Sequence, residues 1–408
     1  MYTNNRLHLW EAYGVEVEYM IVDAQSLNVL PIADQILLTA EGDVASEIEH
    51  GLISWSNELA LHVIELKTTD PAAELSPLPD LFQTQIGQIN ARLASHSARL
   101  MPTAMHPWMN PDAELQLWPH EYNPVYEAYH RIFDCRGHGW ANLQSVHLNL
   151  PFADDLEFGR LHSAIRLLLP WLPALAASSP FMEGKLTGTA DNRMNVYRHN
   201  SDRVPLVSGD IIPEPVMNQA DYDSVIFQPM YQAIRHFAPH GELCHEWLNS
   251  RGAIARFERS AIEIRVLDVQ ECPAADIAIC ELIVALLKRL TSEQWSSLPA
   301  QASIPTSMLA ELLWKTTAQA ESAVVSEPSL LACWGIEPAG QLWTAGDVCR
   351  YLFEQVRDEL VHTQPIQWIL EHGTLARRIE RAITTQARQP TEIYQTLCHC
   401  LQSGSQFI

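Results

Sequence analysis

Glu16 and Glu18 stand two residues apart in GVEVEYMIVD, alternating with Val15, Val17 and Tyr19. On a β-strand that spacing puts both carboxylates on one face and the apolar side chains on the other. Carboxylates held that close repel unless a cation lies between them or each serves its own cation. The pattern recurs. SNELALHVIELKT brings Glu58 and Glu65, SVHLNLPF sets His147 and Asn149 against Val146, Leu148 and Leu150, and RSAIEIRVLD sets Glu263 and Arg265 against Ile262, Ile264 and Val266. Five carboxylates and one imidazole, with no cysteine, form a donor set for hard divalent cations such as Mg²⁺ or Mn²⁺ rather than for structural zinc. Five acids exceed the charge of one divalent ion, so more than one ion is expected. Arg251, Arg256 and Arg259 lie just ahead of Arg265, and the planar fork of arginine matches phosphate oxygens. Divalent ions beside arginines are what phosphoryl transfer from ATP requires. No GxxxxGK[ST] or GxGxxG segment occurs, so the nucleotide would lie on a sheet rather than in a phosphate loop. On these residues alone three other readings stay open: a dinuclear metal hydrolase, a solvated acidic edge strand, and a plain cross-strand pairing of Glu263 with Arg265.

The elements that must position these groups are strands with one buried face. Alternation accounts for Glu16 with Glu18, for His147 with Asn149, and for Glu263 with Arg265. It does not account for Glu58 and Glu65, which are seven apart and fall on opposite faces of one regular strand. Their convergence needs a bulge or turn between them, or Glu58 in an entry loop. Helical spacing follows Pro77 and Pro79, through Leu81, Ile86, Ile89 and Leu93, and recurs over 125–133, 155–177, 222–237 and 273–290, the last strongly apolar. The passage 178–215 has no clear period. It carries Lys185, Arg193, Arg198 and Arg203 among Gly, Pro, Asn and Asp, which reads as a lid or binding loop. From about Ser292 the pattern is helical throughout, over 308–320, 345–362, 375–386 and 391–401, with no Gly/Ser linker ahead of it.

Composition narrows the partners. The 408 residues hold 26 Lys and Arg against 49 Asp and Glu, a formal charge of −23, which repels nucleic acid and anionic membrane alike. The N-terminus lacks the apolar core and cleavage site of a secretory leader, and no apolar stretch is long enough to span a bilayer. The eight cysteines include no CxxC pair, and Cys398-His399-Cys400 lacks the second cluster that a closed metal site needs. A soluble, reducing, cytoplasmic setting is expected. The partners are small molecules, with association into a homo-oligomer left open.

In chain order, GVEVEYMIVD, SNELALHVIELKT, SVHLNLPF, ASSPFMEGKLTGTADNRMNVYR and RSAIEIRVLD resemble the motifs of glutamate–cysteine ligase family 2, the carboxylate–amine ligases of the glutamine synthetase-like superfamily. The resemblance implies an α+β fold: a curved antiparallel β-sheet funnel with helices on its outer face. The catalytic domain would occupy residues 1–291, and a helical region, 292–408, would pack on it. It also implies Glu18, Glu58 and Glu65 as ligands of one Mg²⁺, and Glu16, His147 and Glu263 as ligands of another. Arg265 resembles the arginine that contacts the transferred phosphate, with Arg256 and Asn149 as further nucleotide contacts. Arg193, Tyr197 and Arg198 fall where the family's loop approaches substrate. Many members carry a second histidine where this chain has Asn149, which puts the role of that position in doubt. The implied activity is ATP-dependent formation of an amide through an acyl phosphate, joining glutamate to cysteine in glutathione biosynthesis. The same chemistry on another acid and amine is the alternative.

Overall fold

A computed structural model describes residues 6–337, 340 and 342–408. Its centre is β1, Gly14–Asp23, in an eight-stranded sheet with β2 (Glu47–His50), β3 (Ile53–Asn57), β4 (Val63–Thr68), β5 (Ala98–Met101) and β6 (Ser145–Pro151). A separate hairpin, β7 (Phe181–Met182) with β8 (Lys185–Leu186), precedes the last two strands of that sheet, β9 (Ala253–Arg256) and β10 (Ala261–Asp268). The order is β2-β3-β4-β1-β6-β10-β9, antiparallel at every pairing, with β5 beside the far end of β1. This is the expected α+β fold with an open, curved antiparallel sheet.

One edge of β1 serves two partners. Gly14–Val17 pair with β6, and Met20–Asp23 pair with β5. The sheet parts at Glu18, where β6 peels away, and a carboxylate oxygen of Glu18 accepts the Ser145 backbone N–H at 2.7 Å. A second departure from regularity lies in β10, where the ladder to β6 skips between Ile264 and Leu267. Such bulges bend the strand and raise its twist.

Val15, Val17, Tyr19 and Ile21 face the helices, joined by Ile64 and Leu66, by Val146, Leu148 and Leu150, and by Ile262 and Ile264, all essentially fully buried. The helix Pro273–Thr291 covers them, packed between the helices Leu78–Leu93 and Asp155–Leu168. Each such side chain contributes about 1.5–3 kcal/mol when buried. Repulsion between two carboxylates about 4 Å apart costs on the order of 4 kcal/mol at the effective dielectric of a protein surface. The apolar face wins, and it fixes the acidic one.

The helical pattern expected over 155–177 divides. The first helix ends at Leu168, and turns at Pro170 and Pro173 lead into the short helix Pro173–Ala176. The C-terminal part is not helical throughout, since Val324–Val325 pair with Trp343–Thr344. The pattern over 345–362 is also cut short: the helix Ala345–Val356 gives way to a single 3-10 turn, Arg357–Glu359, and the next helix, Thr363–His372, begins beyond it. Leu309, Leu313, Val348, Leu352, Phe353 and Ile366 belong to the same apolar cluster as Val15 and Val17. Among the described residues no helix is long and apolar enough to cross a membrane.

A buried ion pair ties the C-terminal helices to the sheet. Arg378 Nη1 donates to Glu271 Oε1 at 2.6 Å and to the Phe407 carbonyl at 2.6 Å, and neither charged side chain reaches solvent. Removing one partner leaves a buried charge without its counterion. Arg378→Met is expected to lower unfolding free energy by about 3–5 kcal/mol. Arg378→Met with Glu271→Gln is expected to recover much of that, as read from urea unfolding of the two variants.

Candidate active site

The polar face of β4, β1, β6 and β10 is a grid set by register. Glu65 lies opposite Glu18, Lys67 opposite Glu16, Glu16 opposite His147, and Asn149 opposite both Gly14 and Glu263. Gly14 leaves little room for a side chain, because a Cβ there would stand 3.0 Å from the Cβ of Asn149, which would have to give by a few tenths of an ångström. Glu58 enters differently. The stretch expected as one strand is two, and residues 58–62 form the turn between β3 and β4. That turn is the break the parity of Glu58 and Glu65 demanded.

Two groups of potential ligand atoms lie within 4.8 Å of one another: Glu16, His147 and Glu263, and Glu18, Glu65 and His147. The first is the trio implied by the resemblance. The second contains Glu18 and Glu65 with His147 in the place of Glu58. Glu58 stands nearby, on the wall of a cavity of about 200 Å³ that also takes in Glu18, His147 and Arg265.

Four of the five carboxylates, all but Glu58, are held by a neighbouring side chain. Ser56 Oγ donates to Glu65 Oε1 at 2.7 Å, Ser145 Oγ donates to Glu18 Oε2 at 3.1 Å, and Asn149 Nδ2 donates to Glu16 Oε1 at 3.1 Å. His147 Nδ1 lies 3.0 Å from Glu16 Oε2, and its Nε2 lies 2.9 Å from Ser145 Oγ. Burial works to raise the Glu16 carboxyl, yet the hydrogen bond and charge of His147 hold it down to about 2. His147 is raised in turn: burial, the largest single influence, lowers it, but the bond to Glu16 together with the charges of Glu18 and Glu16 outweighs burial. Glu58 is pushed well above the usual carboxylate range by burial and by the charges of Glu18 and Glu65. Glu263 is gripped by two arginines, with Arg256 Nη1 at 3.2 Å and Arg265 Nε at 3.1 Å. The pairing of Glu263 and Arg265 on one strand face is therefore real, and Arg265 still lines the cavity. The Nε of Arg256 is buried without a hydrogen-bond partner, while that of Arg265 has only its ion-pair contact with Glu263.

The remaining expected contacts separate. Tyr197 and Arg193 line the cavity. Arg193 is buried and bonded within the protein, its Nε to Asp268 Oδ1 at 2.7 Å and its Nη2 to the Arg265 carbonyl at 3.1 Å. Arg198 points elsewhere, its guanidinium over the Trp314 ring at 4.9 Å. The passage 178–215 is no bare loop. It holds the β7–β8 hairpin and a helix, Asn192–Tyr197, capped by Asp191. Arg251, expected at the phosphate edge, instead pins this passage through a two-pronged pair with Glu214, both contacts 2.7 Å.

Sequence reasoning missed Ser56, Ser145 and Lys67, which bond Glu65, Glu18 and Glu47 on other strands, and the aromatic wall of Tyr126, Tyr129, Trp140 and Trp247. Tyr126 and Tyr129 lie on the expected helix, but on its partly buried side. A second cavity, of about 430 Å³, opens on the other side of Glu16, between Gly14, Lys67, Asn149 and Arg259.

Residues 12–392 match the sequence profile of the glutamate-cysteine ligase family 2 (GCS2). An uncharacterized protein of Archaeoglobus fulgidus is 37% identical over 275 residues, 67% of this chain and 73% of that one. Of solved structures, the glutamate–cysteine ligase of Francisella tularensis in complex with AMP is similar over 96% of this chain and 88% of its own, with a TM-score of 0.58 at 12% identity. A bifunctional glutathione synthetase from Pasteurella multocida is similar over 97% of this chain and 52% of its own, with a TM-score of 0.53 at 14% identity. At those identities the two structures share the fold. The family profile spans the sheet, both cavities and most of the C-terminal helices, and the chain accordingly belongs to glutamate–cysteine ligase family 2, whose members are ATP-dependent ligases that form carbon–nitrogen bonds.

Proposed function

We propose that this ligase activates the γ-carboxylate of glutamate and joins it to an amine, that of cysteine by the family's name, in a cytoplasmic step of glutathione-type synthesis. The observation that carries the reading is the acid grid beside Arg256 and Arg265, with Arg265 lining the cavity that takes in Glu18, Glu58 and His147, and with the buried Nε of Arg256 left without a hydrogen-bond partner. The donor set fits divalent cations: carboxylate oxygens with one imidazole, crowded enough that Glu58 is driven toward protonation without them. Mg²⁺ or Mn²⁺ held by Glu18, Glu58, Glu65 and by Glu16, His147, Glu263 would neutralise phosphate oxygens. His147 lies in reach of both groups.

On this reading a glutamate carboxylate oxygen attacks the γ-phosphorus of ATP, ADP leaves, and an acyl phosphate forms. The amine nitrogen then attacks the acyl carbon, phosphate leaves, and the amide nitrogen loses a proton. Arg265 and Arg256 contact the transferred group, and Asn149 orients Glu16. The nucleotide occupies the cavity beside Gly14, Lys67 and Arg259, and the acid occupies the one walled by Tyr126, Tyr129, Trp140 and Trp247, which keep water from the acyl phosphate. Residues 1–291 form the catalytic unit.

Three outcomes check this. Protein, ATP, Mg²⁺, glutamate and hydroxylamine are expected to give a γ-hydroxamate and ADP. A hydroxamate from another acid but not from glutamate keeps the ligase and discards the glutathione assignment, whereas none from a broad panel of acids counts against the reading altogether. Arg265→Lys keeps the charge but loses the fork, so turnover is expected to fall about 100-fold with ATP-analogue affinity little changed. The third concerns charge. Burial, then the charge of Glu16, raises Glu65 to about 7. Its protonated form supports the cation-free fold fully below about pH 4.5, and that support is lost as pH rises through about 7. In EDTA, Glu65→Gln is therefore expected to be more stable than the parent at pH 8, by up to about 3 kcal/mol, with the gap closing near pH 5. Equal urea midpoints at pH 8 would remove the claim of excess charge.

A further inference from the structure

Arg265 sits on the β10 bulge. The ladder to β6 pairs Ile264 with Leu148 and resumes at Leu267 with Val146, so Arg265 and Val266 together face the single residue His147. An extra residue at such a point re-aims its side chain, and the ladder no longer fixes its peptide. Two bonds from outside the ladder do so instead. The Arg265 N–H donates to the Gly252 carbonyl at 2.9 Å, and its own carbonyl accepts Arg193 Nη2 at 3.1 Å. Gly252 permits this approach, since a Cβ there would come within 2.6 Å of Val266 Cγ1.

Arg193 is itself fixed. Its Nε bonds Asp268, which also accepts the Ser178 N–H at 2.8 Å and the Ser179 hydroxyl at 2.9 Å, and both members of the pair are buried. A buried ion pair of this kind adds little net stability over apolar packing. What it supplies here is position. Although Arg193 borders the cavity, two of its three guanidinium nitrogens are committed within the protein.

We infer that Arg193, paired with Asp268, is a positioning residue that aims Arg265 at the reacting phosphate, rather than a contact for the acid substrate. This rests on the role proposed for Arg265. The test is a double-mutant cycle read by ATP-dependent hydroxamate formation from glutamate, or from whichever acid the panel identifies. Arg193→Lys retains a charge beside Asp268 but cannot reach both partners. It is expected to lower kcat roughly 10- to 100-fold, with KM for the acid and the affinity of a non-hydrolysable ATP analogue each within about twofold. In an Arg265→Lys background the same change is expected to cost no more than about threefold, because the two residues act as one unit. A raised KM with kcat preserved, or the full loss repeated in the Arg265→Lys background, overturns the inference and leaves the ligase reading standing. An Arg265→Lys enzyme of normal rate overturns both. Should Arg193→Lys fail to fold, Arg193→Met with Asp268→Asn removes both charges together and carries the same cycle.

Discussion

Like charges gathered on one face of a sheet are the constraint around which this molecule is built. Five carboxylates and a histidine face the site, and they cannot drift apart, because the opposite face of the same strands is packed under three helices. Every device around the site manages that crowding. Ser56, Ser145 and Asn149 each give a hydrogen bond to one acid, Lys67 lies between Glu47 and Glu65, and Arg256 and Arg265 grip Glu263. The residual excess of negative charge is the property a pair of divalent cations would meet.

How much of this could be read in advance follows from what each pattern encodes. Alternation in β1, β6 and β10 reports which face is buried, so the polar partners Glu16, Glu18, His147, Asn149, Glu263 and Arg265 were legible from period alone. Glu58 was not, because the turn at 58–62 carries neither glycine nor proline, and LALHV reads as more strand. The position of Arg198 was equally hidden. It follows its helix toward Trp314, a residue more than a hundred positions away, and nothing local announces such a contact. Ser145 sits on the expected face of its strand, but its bond to Glu18 exists only because β6 parts from β1 there.

Cations are scarce in this chain, and many are spent inside it. Arg166, Arg193, Arg251 and Arg378 are almost wholly buried, each bonded to at least one backbone carbonyl and three of them to a carboxylate. A guanidinium offers five donors in a rigid fork, so it can satisfy several loop carbonyls that no strand or helix serves. An acidic protein thereby keeps its long connections ordered while its surface stays negative.

The place of β1 in the sheet carries a consequence for how the chain reaches this form. β1 precedes the other strands of the sheet in the chain, yet its neighbour β6 follows more than a hundred residues later, and β10 later still. Closing such distant pairings is slow. Until β10 docks, Glu263 and both gripping arginines are missing from the grid, so no early intermediate holds the complete cradle. Glu18, Glu58 and Glu65 come together with β1, β3 and β4 alone, whereas the trio Glu16, His147 and Glu263 is completed only when β10 docks. A divalent ion at that second group would therefore be a late clamp, stabilising the finished sheet by mass action.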